Sequence, residues 1–361
     1  MKLQEFLLLN KKQILFFPIE KGTYKNMFPF LFHRYLKCLL FHFFIKTIQS
    51  MNCLIIDELH PNIENLLLNI GIKADYQPAI SAQKVAEIIG NYDGLILRSK
   101  IKLDKPLLEK GEKLRFIARA GAGLDTIDEA FLKEKNITLL NAPEGNRDAV
   151  GEHTIGLLLA LMNNFQKGDK EVRQKNWLRE ANRGEEIGTK TVGIIGYGNM
   201  GQAFAKRLQG FGTSVIAYDK FRTNYGDAFA KETNLETIFA QADIVSFHIP
   251  LTPENRHVAN ESFFQKFNKN IYFINTARGE ISTFKAIRNG LETGKIKGAA
   301  LDVLENEKLQ TLNTQQEANF NYLATSEKVI FSPHVAGWTV ESLQKINEVL
   351  VQKIKQLFEG K

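Results

Sequence analysis

From residue 51 onward, short apolar runs alternate with segments in which apolar residues recur at helical spacing. Strands are predicted at CLIIDE, DGLILRS, RFIARAGAG and ITLLNAP, and helices at PLLEKGEKL and at PNIENLLLNIG, which ends at Gly71. Strands that alternate with helices indicate a mainly parallel α/β sheet.

A second series of the same kind begins at Thr191. It contains the apolar runs TVGIIG, TSVIAYD, ADIVSFHIP, IYFINTA and IKGAALDV, and a helix is predicted at NMGQAFAKRLQGF. After VIFSPH, the last 30 residues predict one amphipathic helix from about residue 340 to 357. A chain of 361 residues is long enough for two such domains.

The segment NRDAVGEHTIGLLLALMNNF joins the two series. Asp148 is in a position to cap a helix there, and residues 155–162 are apolar on every face of that helix. Such a helix is either buried between domains or in contact with a partner chain. The pattern alone leaves both interpretations open.

The net charge of +7 comes almost entirely from the first 50 residues. They carry seven Lys and one Arg against two Glu, whereas basic and acidic residues nearly balance in the rest of the chain. The sequence therefore does not favour nucleic-acid binding. Cys38 and Cys53 cannot form a disulfide framework, and no metal-site spacing surrounds them, so we expect no metal and a cytoplasmic location.

Residues 1–50 differ in kind from the rest of the chain. Their most apolar window, residues 27–45, is interrupted by His33, Arg34, Lys37 and His42, and no signal-peptide cleavage site follows it. No membrane anchor is predicted. Because Met51 opens a plausible first strand, we interpret the extension as a misassigned translation start, with a disordered basic tail or a peripheral membrane contact as alternatives.

The run VGIIGYGNMG contains Gly196, Gly198 and Gly201 in the spacing G-x-G-x-x-G. It follows an apolar strand and opens a helix, which is the context of a dinucleotide-binding loop. We expect the backbone N–H groups of Asn199 and Met200 at the helix N-terminus to face the phosphates.

Asp219 follows the next strand, 18 residues after the last glycine of the loop. A carboxylate there can accept hydrogen bonds from both ribose hydroxyls and would repel a 2′-phosphate, so NAD is favoured over NADP. The neighbouring Lys220 and Arg222 weaken that preference.

Three further motifs supply the groups that hydride transfer to a 2-oxo acid needs. Arg278 in NTARGE can bind a carboxylate by two parallel hydrogen bonds. His334 in SPHVAGW can give and take a proton near neutral pH. The motif LDVLENE offers Asp302 and Glu307, and a carboxylate beside the imidazole would stabilise its charged form.

In order and approximate spacing, GIIGYGNMG, HIPLTPENRHV, NTARGE, ALDVLENE and SPHVAGWT resemble the D-isomer-specific 2-hydroxyacid dehydrogenases. The resemblance covers about residues 52–361 and is strongest to the D-3-phosphoglycerate dehydrogenases. It implies that Arg278 binds the substrate, that His334 is the acid/base and that Glu307 orients the imidazole. It also implies contacts to NAD and to the substrate. The implied NAD contacts are Gly196, Gly198, Asn199, Met200, Gly201, Asp219, Ile249, Pro250, Thr276, Ala277, Arg278, Asp302, His334 and Gly337, and the implied carboxylate loop is Gly121, Ala122 and Gly123.

The resemblance further implies two Rossmann-like domains, each a doubly wound parallel sheet, with the active site in a cleft between them. The substrate domain would be discontinuous, formed by residues 51–148 and 325–361. The NAD-binding domain would span residues 149–324 and include a dimerisation helix at 149–165. A homodimer is expected.

Substrate identity rests on LILRSKIKLD, which places Arg98 and Lys100 at a strand end, where phosphoglycerate dehydrogenases carry basic residues. We therefore predict oxidation of D-3-phosphoglycerate to 3-phosphohydroxypyruvate in serine biosynthesis. The alternatives are a glycerate, hydroxypyruvate or glyoxylate reductase of the same family and an NAD-sensing, corepressor-like binding protein. Three features depart from the family pattern: Lys308 follows the acid, residues 310–323 look inserted, and Trp338 stands where many members have a smaller residue.

Overall fold

The computed structural model describes residues 51–359, and the predictions made for residues 1–50 lie outside this range. Within it, twelve strands form two parallel sheets, one of five strands and one of seven. No helix in this part of the chain combines the length and the apolarity needed to cross a membrane.

The first sheet is built from the N-terminal series. Its strands are β1 (Met51–Ile55), β2 (Ile72–Tyr76), β3 (Gly94–Leu97), β4 (Phe116–Arg119) and β5 (Thr138–Asn141), and its helices are α1 (Asn62–Asn69), α2 (Ala82–Ile88), α3 (Lys105–Leu108) and α4 (Glu129–Glu134). The strand order is β2-β1-β3-β4-β5, and every pairing is parallel. The order reverses at the boundary between β1 and β3, where doubly wound sheets bind ligands.

Two helices, α5 (Pro143–Met162) and α6 (Phe165–Arg173), lead to the second sheet. Its strands are β6 (Thr191–Ile195), β7 (Ser214–Tyr218), β8 (Lys231–Glu232), β9 (Ile244–Phe247), β10 (Ile271–Asn275), β11 (Ile296–Leu301) and β12 (Val329–Phe331). The remaining helices are α7 (Asn199–Leu208), α8 (Leu235–Gln241), α9 (Glu261–Gln265), α10 (Phe284–Glu292), α11 (Thr314–Thr325) and α12 (Val340–Glu359). All strands are parallel in the order β12-β11-β10-β9-β6-β7-β8, which reverses between β6 and β9. Both sheets confirm the predicted fold class.

Apolar side chains cover both faces of the seven-stranded sheet. Along β10, Phe273 belongs to one buried cluster and its neighbour Ile274 to the other. The same alternation along β9 separates Val245 from Ile244. Because helices cover both faces of such a sheet, polar groups can gather only beyond the strand ends.

The C-terminal helix α12 returns to the first sheet. Asn347 donates from its amide to the carbonyl oxygen of His60 at 3.0 Å, and Lys353 forms an ion pair of 2.8 Å with Glu144 at the start of α5. The predicted amphipathic helix at 340–357 is thus present. It connects the end of the chain to the five-stranded sheet and its helices, here called the N-terminal lobe.

Two predicted boundaries need correction, and the segment predicted to be inserted contains a helix. The helix at 149–165 starts earlier, at Pro143, and ends at Met162, so Asp148 does not cap it but pairs with Arg207 at 3.1 Å. The predicted domain boundary after residue 324 separates β12 from β11, to which it is hydrogen-bonded. Most of the segment 310–323 forms α11, which Asn313 caps.

Candidate active site

A cavity of about 600 Å³ is lined by residues that follow the carboxyl ends of strands in both sheets. The N-terminal lobe contributes the loops after β3 and β4. The C-terminal lobe, which is the seven-stranded sheet with its helices, contributes the loops after β6, β9, β10, β11 and β12. Most of the predicted site residues meet here. They are Arg98, Gly121, Ala122, Gly123, Asn199, Met200, Ile249, Pro250, Thr276, Ala277, Arg278, Asp302, Glu307, His334 and Gly337.

The glycine-rich loop has the geometry that a bound pyrophosphate requires. Gly196 lies at φ +94°, a conformation that L side chains rarely adopt, and a Cβ on Gly201 would stand 2.2 Å from the Gly196 carbonyl oxygen. By contrast, a Cβ on Gly198 would meet nothing within 4 Å, and no side chain caps α7. The loop therefore leaves room and free N–H groups for phosphate, which fits NAD.

Asp219 holds the loop from the end of β7. Its Oδ2 accepts the Tyr197 N–H at 2.9 Å and its Oδ1 the Phe221 N–H at 3.0 Å, so each oxygen retains acceptor capacity. Lys220 forms an ion pair with Glu254, and Arg222 donates to the Tyr197 carbonyl. Lys220 is thus paired away from the loop, whereas Arg222 lies against it, so the preference for NAD over NADP rests on Asp219.

His334 and Glu307 form the pair that the sequence predicted. The imidazole Nδ1 lies 2.9 Å from Glu307 Oε1, and both side chains are about half exposed, at 48% and 47%. His334 adopts φ +55°, and its backbone N–H donates to the Asp302 carbonyl at 2.7 Å. With Nδ1 facing the carboxylate, Nε2 is left for proton exchange in the cavity.

Asp302 organises the loop that carries His334. It is buried, its Oδ1 accepts from the Ser332 hydroxyl at 2.6 Å and from the Val335 N–H at 2.9 Å, and its Oδ2 accepts from the Ala336 N–H at 2.9 Å. Burial acts to raise the pKa of Asp302, but hydrogen bonds from His153, Ser332 and the backbone outweigh it and lower the pKa. Oδ2 accepts one hydrogen bond and keeps a lone pair free. The predicted contact of Asp302 to the nicotinamide stays a prediction.

Arg278 follows β10 and meets a carboxylate that the sequence did not single out. Its Nε and Nη2 lie 2.9 and 2.8 Å from Asp125 Oδ2, and its Nη1 donates to the Ala277 carbonyl at 2.6 Å. A Cβ on Gly123 would stand 1.7 Å from Nη2, so only glycine allows this approach. Arg278 thus lies against the predicted carboxylate loop of the other lobe.

Arg119, at the end of β4, is a second cavity residue that the sequence analysis missed. A Cβ on Gly121 would stand 1.7 Å from its Nη1, so the guanidinium packs against the same loop. Burial, followed by repulsion from Arg278 and Arg98, lowers the pKa of Arg119 to about 10. In the sequence, a basic residue at the end of an apolar strand could have identified Arg119 as a site residue.

The structure separates the two basic residues predicted to bind a phosphate. Arg98 lines the cavity, whereas Lys100 is exposed and its ammonium donates to the Pro78 carbonyl. The backbone N–H groups of both residues point to Asp57 Oδ2, at 2.6 Å from Arg98 and 3.4 Å from Lys100. Asp57 therefore fixes the loop, and Arg98 alone of the two reaches the cleft.

A second histidine, His248, also lines the cavity. Its Nε2 lies 2.9 Å from the Ser246 hydroxyl, and burial lowers the pKa of His248 to about 3. An imidazole with so low a pKa stays neutral near pH 7. His334 is the better acid/base because it is exposed to the cavity and paired with a carboxylate.

A family model described as "D-isomer specific 2-hydroxyacid dehydrogenase, NAD binding domain" matches residues 155–336. The chain is 33% identical over 298 residues to hydroxypyruvate reductase of Thermotoga maritima. The matched region covers 82% of this chain and 95% of that protein. It is 32% identical over 310 residues to D-3-phosphoglycerate dehydrogenase of Methanocaldococcus jannaschii, covering 85% of this chain but 57% of that protein. The chain thus spans little more than half the length of that relative.

Among solved structures, D-lactate dehydrogenase from Aquifex aeolicus, complexed with NAD and lactic acid, superimposes with a TM-score of 0.72 at 26% identity. The match covers 86% of this chain and 96% of that one. The two parallel sheets and the glycine-rich loop agree with these similarities. The chain belongs to the D-isomer-specific 2-hydroxyacid dehydrogenase family and carries its NAD-binding domain.

Proposed function

We propose that this chain uses NAD to oxidise D-3-phosphoglycerate to 3-phosphohydroxypyruvate. The observation that carries the proposal is a pair of arginines, Arg98 and Arg119, in the cavity that also holds Arg278. Among residues 51–359, no carboxylate lies within 4.0 Å of either guanidinium of the pair. Two cations that form no direct ion pair favour a substrate with a dianionic group besides its carboxylate.

The residues in the cleft divide the chemistry between them. Arg278 would bind the substrate carboxylate and polarise the oxygen at carbon 2. His334 would take the hydroxyl proton at Nε2, while Glu307 accepts the hydrogen bond from Nδ1 and stabilises the imidazolium. A bound NAD would supply the acceptor for the hydride that leaves carbon 2. In the reverse direction His334 returns the proton to the carbonyl oxygen.

The groups proposed to hold NAD are the free N–H groups at the start of α7 and the carboxylate of Asp219. Ile249, Pro250, Thr276 and Ala277 line the cavity between that loop and Arg278, where a nicotinamide would have to lie to meet the substrate. A cofactor and a substrate bound there would both lie in the cleft, which would limit access of water to the hydride path.

A reductase acting on hydroxypyruvate or glyoxylate is the second candidate. The observation in its favour is the length match, since the chain covers 95% of the Thermotoga maritima hydroxypyruvate reductase. It also covers 84% of a glyoxylate reductase from Thermofilum pendens, at 32% identity. A corepressor-like NAD sensor is favoured less, because it would not need His334 held at 2.9 Å from Glu307.

We further propose a homodimer that uses the region of α5 and α6. Leu157, Leu158 and Leu161 of α5 are buried within the chain itself. Phe165, which opens α6, is 60% exposed and is available to a second copy. A role in serine biosynthesis and a cytoplasmic location belong to the same proposal.

The test is NADH oxidation by the full-length protein with phosphohydroxypyruvate, hydroxypyruvate, glyoxylate and pyruvate. We expect phosphohydroxypyruvate to give the highest kcat/KM and Arg98→Ala to reduce it by about tenfold or more, because a charge-assisted contact is lost. Lys100→Ala is the matched control, since it removes a cation from the same loop but outside the cleft.

A preference for hydroxypyruvate or glyoxylate that survives Arg98→Ala would replace the proposal by the reductase. Absence of turnover with every substrate, in a protein that still binds NADH, would favour the sensor.

A further inference from the structure

The guanidinium of Arg98 lies against an aromatic ring from the opposite side of the cleft. Its Cζ is 3.7 Å from the ring centroid of Trp338, which belongs to the loop between β12 and α12. At that distance the cation contacts the face of the indole, and the interaction is attractive. Trp338 is 56% exposed, so it is not a core residue held by apolar packing.

The stack leaves the edge of the Arg98 guanidinium uncommitted. Within residues 51–359 the side chain makes no hydrogen bond or ion pair, and only the backbone N–H of Arg98 is bound, to Asp57. A planar guanidinium whose face is covered can still offer its in-plane N–H groups to an anion. Without the ring, the long side chain would gain rotamer freedom and would have to lose it again on binding.

The loop that carries Trp338 also carries the acid/base. Trp338 is four residues after His334, and its N–H donates to the Val335 carbonyl at 2.8 Å. Ser342 fixes the other end of the loop, accepting from the Thr339 N–H and donating to the Gly337 carbonyl, both at 2.9 Å. The ring is thus part of a rigid turn that connects Arg98 to the catalytic loop.

We propose that Trp338 is a positioning residue for the distal anionic group of the substrate: it holds the Arg98 guanidinium in the cleft and so favours phosphorylated over unphosphorylated 2-oxo acids. This inference rests on the proposed function, because it assigns the distal anion to Arg98. Trp338 acts through Arg98 and touches neither reacting atom.

The kinetic test compares phosphohydroxypyruvate with hydroxypyruvate, which differ only in the phosphate. We expect Trp338→Ala to raise KM for phosphohydroxypyruvate by about tenfold, from loss of the cation–π contact and of side-chain order together, with a change in KM for hydroxypyruvate of less than about threefold. Trp338→Phe should restore most of the discrimination. Trp338→Leu, which keeps apolar bulk without an aromatic face, should not.

A double-mutant cycle isolates the coupling. If Trp338 acts through Arg98, Arg98→Ala combined with Trp338→Ala should raise KM little beyond Arg98→Ala alone. Equal effects on both substrates, full rescue by Trp338→Leu, or additive effects in the cycle would each overturn the inference while leaving the proposed function in place.

A binding readout separates the inference from the proposed function. The chain has two tryptophans, Trp177 and Trp338, so Trp177→Phe makes Trp338 the sole indole reporter. We expect inorganic phosphate to change its fluorescence saturably, and the additional change Arg98→Ala to abolish the response. If the wild type prefers hydroxypyruvate, the proposed function fails, but this titration still decides the stack: an Arg98-dependent response supports it, and no response overturns it.

Discussion

The two parallel sheets present their carboxyl ends to one cleft but prepare it for anions by different means. At the reversal between β6 and β9, the chain offers backbone N–H groups on a loop whose glycines exclude side chains. At the reversal between β1 and β3, Asp57 binds the backbone of a loop that carries Arg98, and Arg119 follows on the next strand. Backbone donors suit a pyrophosphate in a fixed position, whereas cationic side chains suit a small dianion.

This difference has an electrostatic consequence. The glycine loop adds no formal charge, so its N–H groups can lie close together without repulsion. At the other anion site, by contrast, burial and then repulsion from Arg278 and Arg98 lower the pKa of Arg119, and Asp125 and Asp57 offset only part of this. Such a site is costly without its anion and gains most when a dianion binds. The two regions should therefore respond differently to substitution.

The largest effect is expected between the two regions, at His334, the proposed acid/base. His334→Asn tolerates the left-handed backbone at φ +55° and leaves both anion sites intact. We expect kcat to fall by about 10²- to 10⁴-fold with little change in the Kd of NADH, because only proton transfer is lost. Steady-state kinetics and NADH titration measure the two.

His257→Asn is the control, since His257 is also exposed and lies at φ +54°. Equal losses in the two variants would show that the left-handed backbone, rather than the imidazole of His334, is what matters.

The next largest effect should be confined to the N-terminal lobe. Arg119→Gln removes a half-buried cation but keeps a hydrogen-bonding side chain, and we expect KM for the phosphorylated substrate to rise by about 10- to 100-fold. The Kd of NADH should not change. Arg173→Gln removes an exposed arginine on α6 and serves as the control. A rise in the Kd of NADH with Arg119→Gln would contradict the division between the two regions.

A smaller effect is expected at the glycine loop. In Gly201→Ala, the new Cβ would press on the Gly196 carbonyl from 2.2 Å and force the loop to shift, at a cost of about 1–3 kcal/mol. The Kd of NADH, measured by calorimetry, should rise about tenfold, while inorganic phosphate should still act through Arg98. Gly210→Ala adds the same methyl group in open space. Similar binding by the two variants would show that the loop adapts.

The smallest effect lies away from both anion sites, at Glu185. Burial acts to raise the pKa of Glu185, but hydrogen bonds from Lys190, Lys297 and Tyr272 lower it to about 2. A lowered folded pKa means that this stabilisation is present above pH 4.5 and is lost as the pH falls toward 2. In Glu185→Gln, the free energy of unfolding should therefore fall less between pH 7 and pH 3 than in the wild type, by about 1–2 kcal/mol.

Chemical unfolding at pH 7 and at pH 3 measures the difference for Glu185. Glu186→Gln, an exposed neighbour, should leave the pH dependence as in the wild type. If the free energy of unfolding depends on pH in the same way in both variants, the three partners of Glu185 do not stabilise the folded protein.

Local patterns carried most of the fold and part of the site. The glycine spacing, the strand before it and Asp219 after it lie within 30 residues, so the dinucleotide loop was visible in the sequence. Alternation along a strand would place Arg98 and Lys100, which are two positions apart, on the same face, so the pattern could not show that Arg98 alone lines the cleft. The start of α5 was missed because Pro143 suits a first helical turn as well as Asp148 suits a cap.

The sequence by itself determined two α/β series, a dinucleotide loop and the identities of an arginine, a glutamate and a histidine suited to hydride transfer. Only the tertiary structure decided which groups meet: Asp125 contacts Arg278 from 153 positions away, and Trp338 covers Arg98 from the other end of the chain. Sequence patterns report which face of an element is buried, because burial follows the local period. They carry no information on which elements meet across a cleft, since that depends on how the lobes fold and pack as whole bodies.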